Sequence, residues 1–201
     1  HKLILPVHYD ASLPVYDSNK MTVRAMDILD LGCGKGRIAY EMMLYTNGNV
    51  QGLNIDATQL QNALRFALDR GLWPERLDFK IGSFNDPLPY ADESFDFVYE
   101  IGAFTYLIDK LAVFREIYRV LRPGGSFVYQ DWTDVGYDPT NTTHAEMILK
   151  VKLISGLIEL HDPKELAQVA QKAGFEVLFN DDGGYNATPS SQLLSLKSFK
   201  F

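Results

Sequence analysis

The stretch Asp27-Ile28-Leu29-Asp30-Leu31-Gly32-Cys33-Gly34-Lys35-Gly36-Arg37 restricts the folds open to this 201-residue chain more than any other. Ile28, Leu29 and Leu31 form a short apolar run, broken only by Asp30 and followed at once by glycines. That is the pattern of a buried strand. Gly32, Gly34 and Gly36 permit a tight turn whose backbone amides approach whatever lies above the strand end. Residues 37–45 suit a helix, and its N-terminus offers free N–H groups and a positive dipole end. Strand, turn and helix together predict a nucleotide-type site at the carboxyl edge of an open sheet. A dinucleotide fold asks for G-x-G-x-x-G with a pyrophosphate on the helix. Here the spacing is G-x-G-x-G, and Asp30 sits on the strand itself. A carboxylate there repels phosphate and suits a cationic ammonium or sulfonium ligand. The plainer alternative is an ordinary strand–turn–helix corner of some other α/β protein.

The rest of the chain repeats the alternation. Strands are predicted at 50–55, 77–81, 95–99, 126–130, 175–179 and 195–201. Helices are predicted after a cap at Asp56, over 109–121, over 145–157 and from Asp162-Pro163 to Gly174. Arg122-Pro-Gly-Gly reads as a firm stop. Strands alternating with helices imply βαβ units and a mainly parallel sheet. Residues 1–24 and 181–190 read as loops, and no repeat or low-complexity tract interrupts the chain.

Most class I S-adenosylmethionine-dependent methyltransferases carry something like the glycine turn, and like Val98-Tyr-Glu-Ile-Gly-Ala and Phe114-Arg-Glu-Ile-Tyr-Arg-Val-Leu-Arg-Pro-Gly-Gly. Further stretches narrow the likeness: Gly52-Leu-Asn-Ile, Tyr129-Gln-Asp-Trp132-Thr, Tyr137-Asp-Pro-Thr-Asn-Thr-Thr-His144 and Lys172-Ala-Gly-Phe-Glu-Val-Leu178. With these the chain resembles the sterol 24-C-methyltransferases and related isoprenoid C-methyltransferases. The resemblance runs from about Asp27 to Leu178, and weakly again at Ser195–Phe199. It implies an α/β, Rossmann-like fold: a mainly parallel seven-stranded sheet, helices on both faces and an antiparallel last strand. It also implies one methyltransferase domain over 1–201, with a partial cap segment at 1–26, a cofactor-binding half at 27–135 and a substrate-side half at 136–201.

The implied cofactor is S-adenosyl-L-methionine, leaving as S-adenosyl-L-homocysteine. The strand ends then collect Asp30, Gly32, Cys33, Gly34, Gly36, Asn54, Ile55, Ser83, Phe84, Glu100, Ile101 and Gly102 as cofactor contacts. Asn54 and Ser83 stand where the family usually has acids, and Phe84 is placed to stack on adenine or to join the core. Cys33 reads as a small residue filling the turn, and Asp56 as a helix cap. An alkene substrate would attack the sulfonium methyl in line and become a carbocation. The protein must align it, face the cation with aromatic rings and carboxylates, and accept a proton. Phe104, Tyr106, Tyr129 and Trp132 are the candidate rings; Glu100, Asp131 and His144 are the candidate acids and bases.

Composition sets outer limits. A net charge of -7 lacks the basic footprint that nucleic acid needs. No metal-ligand spacing and no G-x-S-x-G nucleophile elbow occurs. The single cysteine excludes an internal disulfide and fits a reducing compartment. No apolar run reaches membrane-span length, so the expectation is a cytoplasmic chain. A peripheral contact with an internal membrane, a lipid or other small-molecule substrate, and a homo-oligomer are all compatible with it. Two rivals stand beside the lipid C-methyltransferase: an enzyme methylating a phenol, amine or polyketide, and a silent domain that only binds cofactor or a partner.

Overall fold

β1 (Asp27–Leu31) lies inside the sheet, third of its seven strands, and its five residues decide which side chain serves which face. The computed structural model describes residues 24–133, 137–138, 140–181 and 191–198. The loop readings at 1–23 and 182–190, and the end of the last strand at 199–201, lie outside them. β1 pairs in parallel with β2 (Asn49–Asn54) on one side and β4 (Phe95–Ile101) on the other. β3 (Leu77–Ile81) extends the sheet beyond β2, and β5 (Leu121–Trp132) extends it beyond β4. The full order is β3-β2-β1-β4-β5-β7-β6, where β7 (Ser191–Ser198) runs antiparallel to both β5 and β6 (Phe175–Asp181). This is the expected seven-stranded sheet. Strand order reverses between β1 and β4, so a ligand crevice belongs outside their carboxyl ends.

Period-two alternation sends β1 side chains to two cores. Ile28 joins Val50, Leu77, Phe97 and Tyr99 under α1 (Arg37–Thr46) and α2 (Ala57–Leu68), which supply Ala39, Met42, Met43 and Ala67. Leu29 and Leu31 join Val98, Phe127 and Tyr129 on the opposite face. There α3 (Lys110–Val120) and α5 (Pro163–Ala173) supply Phe114, Ile117, Leu166 and Ala170. The helices begin where short polar side chains meet free amides. Asp56 accepts from Thr58 N and Gln59 N at the start of α2, as expected of a cap. Asp109 and Asp162 do the same for α3 and α5.

Three local expectations are corrected. α4 spans Thr142–Ser155, not 145–157, because Asn141 caps it early and Gly156 turns left-handed at φ 70°. β5 begins at Leu121, directly after α3: Leu121 pairs with Phe95, then the register shifts and Ser126 pairs with Phe97. The Pro-Gly-Gly stop is thus absorbed as a bulge within the strand. A single 3-10 turn, Phe104–Tyr106, follows β4 where no element was expected. α4 is the outlier of the fold, since none of its residues is buried.

Candidate active site

Two turns meet at the switch point. Gly32 N and Cys33 N both donate to Leu53 O of β2, at 2.8 and 3.1 Å, which pins the turn after β1 to the neighbouring strand. A Cβ on Gly32 would sit 2.6 Å from the Ala103 Cβ, and one on Gly36 would sit 2.6 Å from the Phe79 ring. Those two glycines therefore serve packing within the chain. Gly34 differs. Its φ is +53°, and a Cβ there would meet nothing closer than Gln59 Oε1 at 3.4 Å. The Gly34 and Lys35 amides donate to no acceptor among the described residues. Open space, free amides and a helix N-terminus coincide at Gly34, which is what a polar ligand close to backbone requires.

Below this turn Asp30 is buried, and Tyr99, its register partner on β4, donates its hydroxyl to Asp30 Oδ2 at 2.7 Å. Burial pushes the Asp30 carboxyl up to about 7, against the pull of the tyrosine. Asp30 is 3% exposed, and its hydrogen-bond partner is the Tyr99 hydroxyl. Cys33 packs against Gly52, and burial, with the Asp30 charge adding to it, pushes its thiol well up. It fills the turn and is no nucleophile.

The turn after β4 is bound from inside. Glu100 is fully buried, and its Oε1 accepts from Ala103 N and from Phe104 N, the latter at 3.1 Å. Asp131, also buried, accepts from Thr105 N at 3.1 Å. Both carboxyls are pushed up, first by burial; Glu100 is raised further by Asp131. These two acids were expected in the cleft, and the structure corrects this. They cap three successive amides of the 3-10 turn from inside, and the second Glu100 oxygen, Oε2, is buried without a hydrogen-bond partner among the described residues. Tyr129 is corrected likewise. Its ring is 0% exposed and packs against Phe104 at 5.4 Å and Phe127 at 5.9 Å. The cause is strand alternation: Phe127, Tyr129 and Asp131 share the inward face of β5. Phe104, on the 3-10 turn, is core as well, its ring packed among Phe114, Phe127 and Tyr129.

The other expected residues divide by surface. Ile55, Tyr106 and Trp132 are exposed at the carboxyl edge, Gly102 carries nothing within 4 Å of a Cβ, and Ile101 is half-buried against the α1 side. Asn54 donates to Gln59 Oε1 at 3.0 Å, so its amide is held toward the glycine turn. Ser83 Oγ accepts from Asn85 N at 3.1 Å, and Phe84 packs edge-to-face on Phe104 at 5.7 Å. His144 is not brought to Asp131; its Nδ1 accepts from Asp138 N at 3.2 Å in the first turn of α4. Sequence reasoning missed Asn85 and His161. Asn85 ties the loop after β3 to the 3-10 turn through Tyr106 O and Ile108 N, both at 2.9 Å. His161 holds Phe104 O at 2.8 Å. Neither stands in a motif; only the tertiary contact marks them.

A glycine turn with a strand acid, at the switch of a 3-2-1-4-5-7-6 sheet, directs comparison with known proteins. Residues 22–174 match the family described as a methyltransferase domain. The chain belongs to that family. It is similar to sterol 24-C-methyltransferase erg6 of Aspergillus fumigatus, 38% identical over 83% of this chain and 44% of the relative. It is also similar to methyltransferase phqN of Penicillium fellutanum, 37% identical over 78% of this chain and 48% of the relative. The chain thus spans less than half the length of these curated relatives. Among solved structures, geranyl diphosphate C-methyltransferase from Streptomyces coelicolor superposes with a TM-score of 0.72. It is 14% identical, and the match covers 86% of this chain and 72% of that one; this likeness concerns the fold.

The Tyr129 hydroxyl is buried without a hydrogen-bond partner among the described residues. Removing it deletes a desolvated polar group and keeps the ring packing. Tyr129→Phe is expected to leave stability unchanged or raise it by about 1 kcal/mol, read by denaturant unfolding. A clear loss would mean that the hydroxyl has a partner and a task.

Proposed function

We propose that this domain binds S-adenosyl-L-methionine and directs its methyl group to an alkene carbon of a sterol or related isoprenoid lipid. The observation that carries the cofactor is the Gly34 cradle: left-handed backbone, free amides and space that a side chain would fill. The lipid substrate is supported by the 38% identity to a sterol 24-C-methyltransferase, together with the isoprenoid-type motifs already noted. When bound, the cofactor supplies an electrophilic methyl on a cationic sulfur. The chain's own part is placement and electrostatics. Gly34 and Lys35 amides meet polar ligand atoms, the Asn54 amide faces hydroxyl groups from the end of β2, and Asp30 lends negative potential from below. Tyr106 and Trp132 present the exposed rings at the edge. With an alkene bound, a C–C bond would form as the sulfur–methyl bond breaks, S-adenosyl-L-homocysteine would leave, and the product cation would give its proton to solvent at the exposed edge.

A second reading follows from the corrections. With Tyr129, Phe104, Glu100 and Asp131 turned inward, fewer groups face a developing cation than expected. That favours, as the alternative, methyl transfer to an oxygen, nitrogen or carbon of another small molecule. The silent cofactor- or partner-binding domain is excluded by any turnover. Among the described residues no helix is long and apolar enough to cross a membrane. A peripheral membrane contact, a homo-oligomer and a cytoplasmic location remain part of the proposal.

Three outcomes are expected. Gly34→Val should lower S-adenosylmethionine affinity at least a hundredfold in calorimetric titration, since the valine fills the cradle. Wild-type affinity in a folded Gly34→Val protein would remove the site. Asp30 supplies the second. Its folded value, about 7, lies above its ordinary 3.8. Its contribution to apo stability is therefore fully present below about 4 and lost as pH rises through about 7. A cationic ligand favours the ionised carboxylate, so the sign for binding is opposite. Affinity should rise as pH increases toward 7, with proton release that titration in buffers of different ionisation enthalpy detects. Asp30→Asn should flatten that profile; an unaltered profile would assign the proton elsewhere. The third outcome concerns chemistry. Labelled cofactor and candidate sterols should give a C-methylated product by mass spectrometry, and Trp132→Leu should lower kcat by roughly thirtyfold, from about 2 kcal/mol of lost cation–ring attraction. Unchanged kcat, or a product methylated at oxygen or nitrogen, would favour the second reading.

A further inference from the structure

The segment between α4 and α5 is fastened to the turn after β4 by more polar contacts than a connecting loop needs. Thr105 is buried, and its Oγ1 donates to Glu159 O at 2.8 Å while accepting from Ile158 N at 3.0 Å and Glu159 N at 3.1 Å. Thr105 O takes a share of the same Glu159 amide at 3.2 Å. His161, 2% exposed, has Nε2 2.8 Å from Phe104 O. A carbonyl only accepts, so Nε2 carries the proton. Thr133, just past β5, pairs with His161 as a parallel bridge. On the outer side Lys110 Nζ lies 3.7 Å from Glu159 and 2.9 Å from Glu165. The inner side is closed by Asp131, which holds Thr105 N.

α4 makes the contrast. It leaves the carboxyl edge of the sheet after β5, and none of its residues is buried. Met147, Leu149, Leu153 and Ile154 are exposed on it. A helix without a packed face takes its position from what holds its ends. The C-terminal end, at Gly156, runs directly into the fastened segment, and the Tyr106 hydroxyl reaches Gly156 O at 3.4 Å.

We infer that Thr105 and His161 are positioning residues: they clasp residues 156–161, and through them α4, to the turn that carries Gly102 and Ala103 at the cofactor edge. The clasp makes one body of the cofactor turn and the apolar helix above it. Calling α4 the substrate-side wall rests on the methyl-transfer reading; the clasp itself does not.

The test is hydrogen exchange on the full chain with S-adenosylhomocysteine as probe. Thr105→Val keeps the shape of the side chain and removes its three hydrogen bonds. Exchange over 142–161 should then rise at least tenfold, while β1, β2 and β4 keep their protection. Affinity for S-adenosylhomocysteine should stay within about threefold, and Thr105→Ser should restore wild-type exchange. Unchanged exchange over 142–161, a uniform rise across the sheet, or a tenfold loss of affinity would each overturn the inference. If Thr105→Val does not fold, His161→Leu and His161→Gln give the same comparison, because glutamine restores a donor toward Phe104 O. Equal exchange in those two variants would also overturn it. Failure of the wild-type chain to bind S-adenosylhomocysteine would end the methyl-transfer reading, and the exchange result would still decide the clasp.

Discussion

The contact between the turns after β1 and β4 is the constraint from which the site follows. Gly32 has no Cβ, and the Ala103 methyl occupies the space one would need. The two turns can therefore close together only over glycine. Gly36 makes the same concession to Phe79. With both positions spent on packing, the loop is fixed from two sides and leaves Gly34 half-buried, with only Gln59 Oε1 near the place of a Cβ. A ligand cradle needs a rigid frame, since loosely held amides would pay their ordering entropy again on binding.

Beneath that frame lie three buried carboxyls with separate duties. Glu100 and Asp131 cap the amides of residues 103–105 from within the core. Asp30 has a tyrosine hydroxyl and sits under the ligand cradle instead. Burial raises all three, and a nearby cation relieves that penalty. Asp30 accepts a side-chain hydroxyl, while the neighbouring acids hold backbone.

The family likeness extends across the glycine turn, both cores and α5, within residues 22–174. The fold is the common part, shared even with a solved structure of 14% identity.

The sequence by itself determined the sheet, the glycine turn, Asp30 and the helix starts. Each is a local or periodic signal: an apolar run before glycines, a 3.6 spacing, an Asp or Asn before a helix. It also marked Cys33 and Asp56 for their structural tasks. Tertiary structure alone decided which motif residues are exposed at the carboxyl edge and which are buried. Tyr129, Glu100 and Asp131 stand at strand ends, where cleft residues are expected, yet β4 and β5 turn those side chains inward. The register that does so, with Leu121 opposite Phe95 and Ser126 opposite Phe97, is set by pairing between strands distant in sequence. Thr105 and His161 lie more than fifty residues apart, and their bond network has no sequence signal at all. Hydrogen bonds between distant residues form only once the core has placed both partners. For that reason the cradle was legible in the chain and the clasp was not.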